Sequence, residues 1–151
     1  MRKSSKICIM ITLVAAFFSF SAANAQLSVD VRGGYYEKAD NLFLGAGLNF
    51  NLLFFTANPN FEYVFVDGGN FYTINLDGKV TVLPLVVGSG WLGAGLVLSS
   101  AKIDGGESST DGGVNLLAGF GLDAIPLKPF AQLKYIISDS NQWVFGVGVR
   151  F

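Results

Sequence analysis

Few side chains in this sequence could carry chemistry. The 151 residues include no histidine, and the one cysteine is Cys8. Histidine is the commonest general base and metal ligand in proteins, so zinc sites, Ser-His-Asp triads and Cys-His pairs are excluded. Glu62 and Asp77 could in principle form a carboxylate pair for acid–base catalysis, but buried acids are far more often partners of Lys or Arg. The sequence therefore predicts a protein that is not an enzyme and holds no metal or cofactor.

Charged residues recur on one side of segments whose other side is apolar. Four acids and four bases share this position: Asp30, Arg32, Glu62, Asp77, Lys79, Asp123, Lys134 and Arg150. In these segments the apolar residues occupy every second position, which is the period of a β-strand. The last segment is the clearest example, because its apolar face runs without interruption through Trp143, Phe145, Val147, Val149 and Phe151.

The alternation predicts eight strands. They cover residues 27–32, 42–51, 62–67, 71–83, 91–103, 114–123, 131–138 and 142–151. Asp77-Gly78 is a strong signal for a two-residue hairpin turn. The alternation nevertheless continues across it, so we prefer one long strand, with Gly78 facing outward at a bulge, over a hairpin.

The segments between the strands are short. Polar or glycine-rich turns are expected at one end of the strands, at residues 37–40, 67–70, 104–113 and 139–141. Turns at the other end are expected at residues 56–60, 84–90 and 124–129. Connections of this length make neighbouring strands antiparallel. The Ser/Gly/Asp run at 104–113 is predicted to be the most mobile loop.

Residues 1–25 have the layout of a secretory signal peptide. Arg2, Lys3 and Lys6 form a positive head, an apolar stretch follows, and Ala23-Asn24-Ala25 offers small residues for cleavage before Gln26. A retained membrane helix is the alternative. The mature chain would then be residues 26–151, with seven basic against eleven acidic residues and a formal charge of −4. This charge makes nucleic acid an improbable partner.

Which face of the strands carries the charged side chains decides between a soluble barrel, a sandwich and a membrane barrel. A soluble ligand-carrying barrel is apolar inside and polar outside. Burying eight ions in a dry sandwich core would cost several kcal/mol for each unpaired ion. In a barrel the same ions can pair with one another and with water, while the apolar faces contact lipid. We therefore predict an all-β fold, an eight-stranded antiparallel up-and-down transmembrane β-barrel.

With these features, residues 26–151 resemble the small eight-stranded bacterial outer-membrane β-barrel proteins, the opacity-like superfamily. The segment from Trp143 to Phe151 looks like the assembly signal of that family. The resemblance implies a place in the outer membrane, contact with its lipid, recognition by the barrel-assembly machinery, chain ends in the periplasm, and pairing of the last strand with the first. Tyr35, Tyr72, Trp143 and Phe151 would belong to interfacial aromatic girdles. Only residues 104–113 form a long loop here, a departure that weakens any expectation of loop-based adhesion.

Three functions remain open at this point. The preferred one is a structural, envelope-related role with an interior plugged by paired charges, because eight strands leave a bore that side chains can fill. The alternatives are a narrow porin-like channel for very small solutes or ions, and a soluble exported ligand-binding barrel. Neither an extracellular partner nor the oligomeric state follows from the sequence.

Overall fold

The computed structural model of the chain describes residues 26–151. These residues form eight strands, β1 (Gln26–Tyr36), β2 (Asn41–Leu52), β3 (Phe55–Val64), β4 (Gly69–Pro84), β5 (Gly88–Ile103), β6 (Ser108–Leu122), β7 (Phe130–Ile137) and β8 (Gln142–Arg150). Each strand pairs antiparallel with the next, and β8 pairs with β1 to close a barrel. The predicted fold class, strand count and strand order are confirmed. The predicted signal peptide and Cys8 lie outside the described residues.

The two ends of the barrel differ in what they carry. We call the end with the start of β1 and the end of β8 the terminal end; the connections β2–β3, β4–β5 and β6–β7 also lie there. The four remaining connections lie at the loop end, at 37–40, 65–68, 104–107 and 138–141. Each connection thus lies at the end of the barrel that the sequence predicts for it.

The turn predicted at residues 56–60 is wrong. These residues lie within β3, and the chain turns at Leu53 and Phe54 instead. Pro59 misled the prediction because proline has no N–H to donate to a ladder. The structure compensates, since the side-chain amide of Asn58 donates to the carbonyl of Leu48 on β2 at 2.8 Å.

Two smaller features also differ from the prediction. The β5–β6 loop is only residues 104–107, because Ser108 to Gly113 already pair with β5. Gly78 lies inside a continuous β4, as predicted, but its pairing with Ala57 and Ala94 is regular. The irregularity of β4 falls instead between Thr81 and Leu83.

The barrel is apolar outside and mostly polar inside. Along β4 and β5 the outward Leu76 and Leu96 are 56% and 63% exposed. The inward Asp77 is 1% exposed although it directly follows Leu76. This inversion of the usual globular pattern is what a β-barrel surrounded by lipid requires.

Candidate functional site: the barrel interior

The structure brings six of the eight predicted charged residues into one buried cluster. Their exposed fractions are between 1% and 7%, for Asp30, Arg32, Glu62, Asp77, Lys79 and Lys134. The other two lie near the terminal end. Asp123, just beyond β6, is exposed and accepts a hydrogen bond from Ser89 at 2.8 Å. Arg150 is half-buried, with its side chain over Trp91.

Glu62 on β3 is the centre of the ion pairing. Its Oε1 lies 2.8 Å from Nζ of Lys134 on β7 and 3.9 Å from Nη1 of Arg32 on β1. Its Oε2 accepts a hydrogen bond from the Tyr36 hydroxyl. One carboxylate therefore joins three strands across the bore.

Asp30 shares Arg32 with Glu62 and has two amide partners of its own. Arg32 Nε donates to its Oδ1 at 2.7 Å. The side-chain amides of Asn49 and Asn58 donate to its Oδ2 at 2.7 Å and 3.2 Å. Arg32 Nη2 also donates to Asn58 Oδ1 at 2.9 Å, so Asp30 and Arg32 link β1 to β2 and β3.

Asp77 is held by amides and not by a base. Asn60 donates to its Oδ2 at 2.8 Å, and Asn115 donates to its Oδ1 at 3.0 Å. Lys79, two residues further on, donates to Asn58 Oδ1 at 2.9 Å. Glu62 and Asp77 thus have different partners, and the arrangement is not that of a shared-proton carboxylate pair.

Asparagines carry much of this network, and the sequence analysis missed them. Asn49, Asn58, Asn60, Asn75 and Asn115 are at most 5% exposed. Asn115 also donates to Asn75 at 2.9 Å, which joins β6 to β4. The signal was present, because each asparagine occupies an inward position of the alternation in its strand. An amide both donates and accepts, so it links ions that do not touch.

An apolar layer covers the network on its loop-end side. We call it the apolar plug; its members are Tyr36, Phe43, Val64, Val97, Ile136 and Val144, all 0–4% exposed. Tyr36 packs edge-to-face on Phe43 and Phe71, with ring centroids 5.2 Å and 5.8 Å apart. The strand period places Phe43, Phe71 and Val144 on inward faces, but their meeting with Tyr36 in one layer depends on the stagger between strands, which the period does not give.

The terminal-end side of the network is open. A cavity of about 520 Å³, which we call the vestibule, begins there and reaches the charged cluster. Its lining includes Asn49, Lys79, Ser89, Trp91, Asp123, Lys128, Phe130 and Arg150. The bore therefore has three layers from one end to the other: an open polar vestibule, a hydrogen-bonded ion network and an apolar plug.

The predicted assembly signal lies on the outer face of β8 and at its end. Trp143, Phe145 and Val147 are 43%, 51% and 63% exposed. Phe151 follows β8, and its N–H donates to the Val29 carbonyl at 3.0 Å. The Val29 N–H donates back to the Phe151 carbonyl at 2.8 Å. This last residue thus extends the β1–β8 seam, and Val149 is half-buried beside it.

The described residues contain neither a candidate metal cluster nor a candidate membrane-spanning helix. Residues 26–151 hold no group of three or more His, Cys, Asp or Glu side chains placed to bind a metal ion. Within the same residues no helix is long and apolar enough to cross a bilayer.

Comparison with known proteins gives structural but not sequence relatives. No protein-family model and no curated protein matches the sequence. Neisserial surface protein A superposes on 83% of this chain and 94% of its own, with 16% identity and a TM-score of 0.62. This chain has the fold of the small outer-membrane β-barrels. The outer membrane protein Ail of Yersinia pestis, in a phospholipid bilayer nanodisc, matches 85% of this chain and 100% of its own, with 15% identity and a TM-score of 0.53.

A designed protein shares this outer-membrane barrel fold as well. The de novo designed TMB2.3 matches 84% of this chain and 93% of its own, with 13% identity and a TM-score of 0.53. The described strands therefore match most of the length of each of these barrels.

Proposed function

We propose that this protein is an integral outer-membrane β-barrel with a structural role in the envelope, exported by its N-terminal signal and inserted by the barrel-assembly machinery. Its partners in this role are the outer-membrane lipids around the apolar outer face. No catalytic step is assigned to it, because Glu62 and Asp77 accept hydrogen bonds from different donors and do not form a carboxylate pair.

One observation favours a structural role over a transport role: side chains close the bore. The apolar plug is at most 4% exposed, and beneath it Glu62 is ion-paired and 1% exposed. A hydrated ion would have to displace both layers to pass. Eight-stranded barrels are narrow enough for side chains to fill them completely. The only polar side-chain group of the apolar plug is the Tyr36 hydroxyl, which is already hydrogen-bonded to Glu62, so an entering ion finds little to replace its water.

Planar-bilayer conductance tests this proposal against the narrow channel. The purified, folded protein should leave the bilayer silent. Discrete conductance steps that Lys134→Ala alters or abolishes would instead assign the protein as a channel. Lys102→Ala is the matched control, since Lys102 is an exposed cation at the loop end and not in the bore.

Fractionation and a heat-modifiability gel test the membrane location. The protein should be recovered in the outer-membrane fraction and migrate faster unboiled than boiled, because the closed barrel resists detergent. The outward Leu92 and Leu96 are 54% and 63% exposed, which disfavours the soluble carrier barrel. Recovery of native protein in the periplasmic supernatant would decide in favour of that carrier.

A further inference from the structure

Arg150 lies at the vestibule and has no ion-pair partner among residues 26–151. Its Cζ lies 5.0 Å from the Trp91 ring centroid and 5.3 Å from that of Phe130. Its Nη2 is buried and has no hydrogen-bond partner. Among residues 26–151, no acidic side chain comes within ion-pairing distance of the guanidinium. Buried cations are ordinarily paired with an anion or hydrogen-bonded, so this group has unused donor capacity.

Two glycines of β6 make the space in which Arg150 and Trp91 lie. A Cβ on Gly121 would stand 2.7 Å from Arg150 Nη2. A Cβ on Gly119 would stand 2.5 Å from Trp91 Cε2. Both distances are too short for a real Cβ atom. Glycine at these two positions therefore leaves the room in which the guanidinium and the indole pack. The two glycines therefore help to determine where the Arg150 side chain lies.

The vestibule has more available positive than negative charge. Lys79 and Lys128 line it together with Arg150. Lys79 donates to an amide oxygen, and no carboxylate lies within 4 Å of its Nζ. The lining acids are already engaged, because Asp30 is paired with Arg32 and Asp123 accepts from Ser89. An anion entering the cavity would meet three basic side chains, and neither Arg150 nor Lys128 is in an ion pair with a described residue.

We propose that the vestibule binds an oxyanion, a phosphate or carboxylate group, with Arg150 as its principal ligand. The cavity of about 520 Å³ is within the usual size of small-ligand sites. A planar guanidinium suits these oxyanions because it donates two parallel hydrogen bonds. The proposal goes beyond the structural role, and it holds whether or not the apolar plug conducts.

The oxyanion has two possible sources, a free anion or the headgroup of an amphiphile. The connections around the opening are apolar: Leu53, Val86 and Leu127 are 100%, 101% and 60% exposed. Acyl chains could lie against these side chains while a phosphate occupies the vestibule. Inorganic phosphate and a short-chain phosphatidic acid are therefore the two probes that distinguish the sources.

Trp91 provides a direct readout of the site. The chain has two tryptophans, and Trp143 lies on the outer face, so Trp143→Phe leaves Trp91 as the one indole and reports on the vestibule alone. The Trp143→Phe protein, folded in detergent and checked by heat-modifiability, is titrated with each probe against sodium chloride at matched ionic strength. Arg150→Gln in this background is the test variant. Lys102→Gln, which removes the same charge from the loop end, is the control.

The expected result is a saturable change in Trp91 emission that chloride does not reproduce. Arg150→Gln should weaken binding about tenfold or more, since the charge-assisted hydrogen bonds to the oxyanion are lost, and Lys102→Gln should leave the affinity unchanged. Tighter binding of phosphatidic acid than of phosphate identifies a lipid headgroup; equal binding identifies a free anion.

Two results would overturn the proposal. One is a Trp91 signal that neither probe changes beyond the chloride control. The other is an Arg150→Gln protein that binds as tightly as its parent. Lys128→Gln, an exposed change on the β6–β7 connection, serves if Arg150→Gln does not fold; it should weaken binding, and unchanged affinity in this variant would also reject the site.

Discussion

At the scale of single residues, the buried ion network depends most on Glu62. Its carboxylate faces Lys134 at 2.8 Å and Arg32 at 3.9 Å, and both bases are at most 3% exposed. We expect Glu62→Gln to destabilise the folded barrel by about 3–5 kcal/mol, because removing one member of a buried pair leaves an uncompensated charge. Urea unfolding from lipid vesicles, followed by circular dichroism, measures this change.

The control is Asp67→Asn, which removes an acid from the exposed β3–β4 connection and should change the unfolding free energy by less than about 0.5 kcal/mol. Adding Lys134→Met to Glu62→Gln should recover part of the loss, since the double change removes the unpaired cation as well. A Glu62→Gln barrel as stable as its parent would show that water or other groups compensate the two bases.

The residue types and their alternate positions along each strand predict which charged side chains face inward, but not which of them pair with one another. Asp30, Glu62 and Lys134 lie where the alternation puts them. Their partners depend on the stagger between strands, which brings Lys134 of β7 across the bore to Glu62 of β3. A strand pattern carries no information on stagger, so the pairing of opposite walls could not be read from it.

At the scale of elements, the seam between β1 and β8 closes the barrel. It runs from the pair Asp30–Arg150 to the pair Tyr36–Val144, and Phe151 adds two backbone hydrogen bonds with Val29. We expect deletion of Phe151 to lower the yield of folded barrel in the membrane strongly, and Phe151→Tyr to have a much smaller effect. Quantitative gels of unboiled membrane fractions measure the yield. Equal yields from the deletion, the substitution and the parent would make the terminal aromatic residue incidental.

Strand prediction succeeded where alternation is long and failed where local chemistry misleads. The continuous β4 was predicted across Asp77-Gly78 because the apolar period does not break there. Pro59 favours a turn at residues 56–60, but the Asn58 side chain replaces the donor that proline lacks, and the strand continues. That repair is a contact between strands, which a proline-based turn signal cannot reveal.

At the scale of the whole molecule, the inverted arrangement of polar and apolar groups has a direct labelling test. Val97 and Leu98 are neighbours on β5 but 2% and 57% exposed, and residues 26–151 contain no cysteine. In proteoliposomes, Leu98→Cys should react with a lipid-soluble maleimide in the native state. Val97→Cys should react only after unfolding, because it belongs to the apolar plug. Equal native labelling of the two positions would mean that the bore and the outer face are wrongly assigned.

The strands differ in length around the barrel. β4 and β5 have 16 residues each, whereas β7 and β8 have 8 and 9. At about 3.3 Å per residue the first pair is roughly twice as long as the second. A bilayer whose thickness matches the short strands cannot cover the long ones. The loop-end part of the β5–β6 hairpin must therefore extend beyond the headgroups. A molecule approaching from that direction would meet the β5–β6 loop at residues 104–107 and then the serine- and threonine-bearing edge of Ser108 to Thr110.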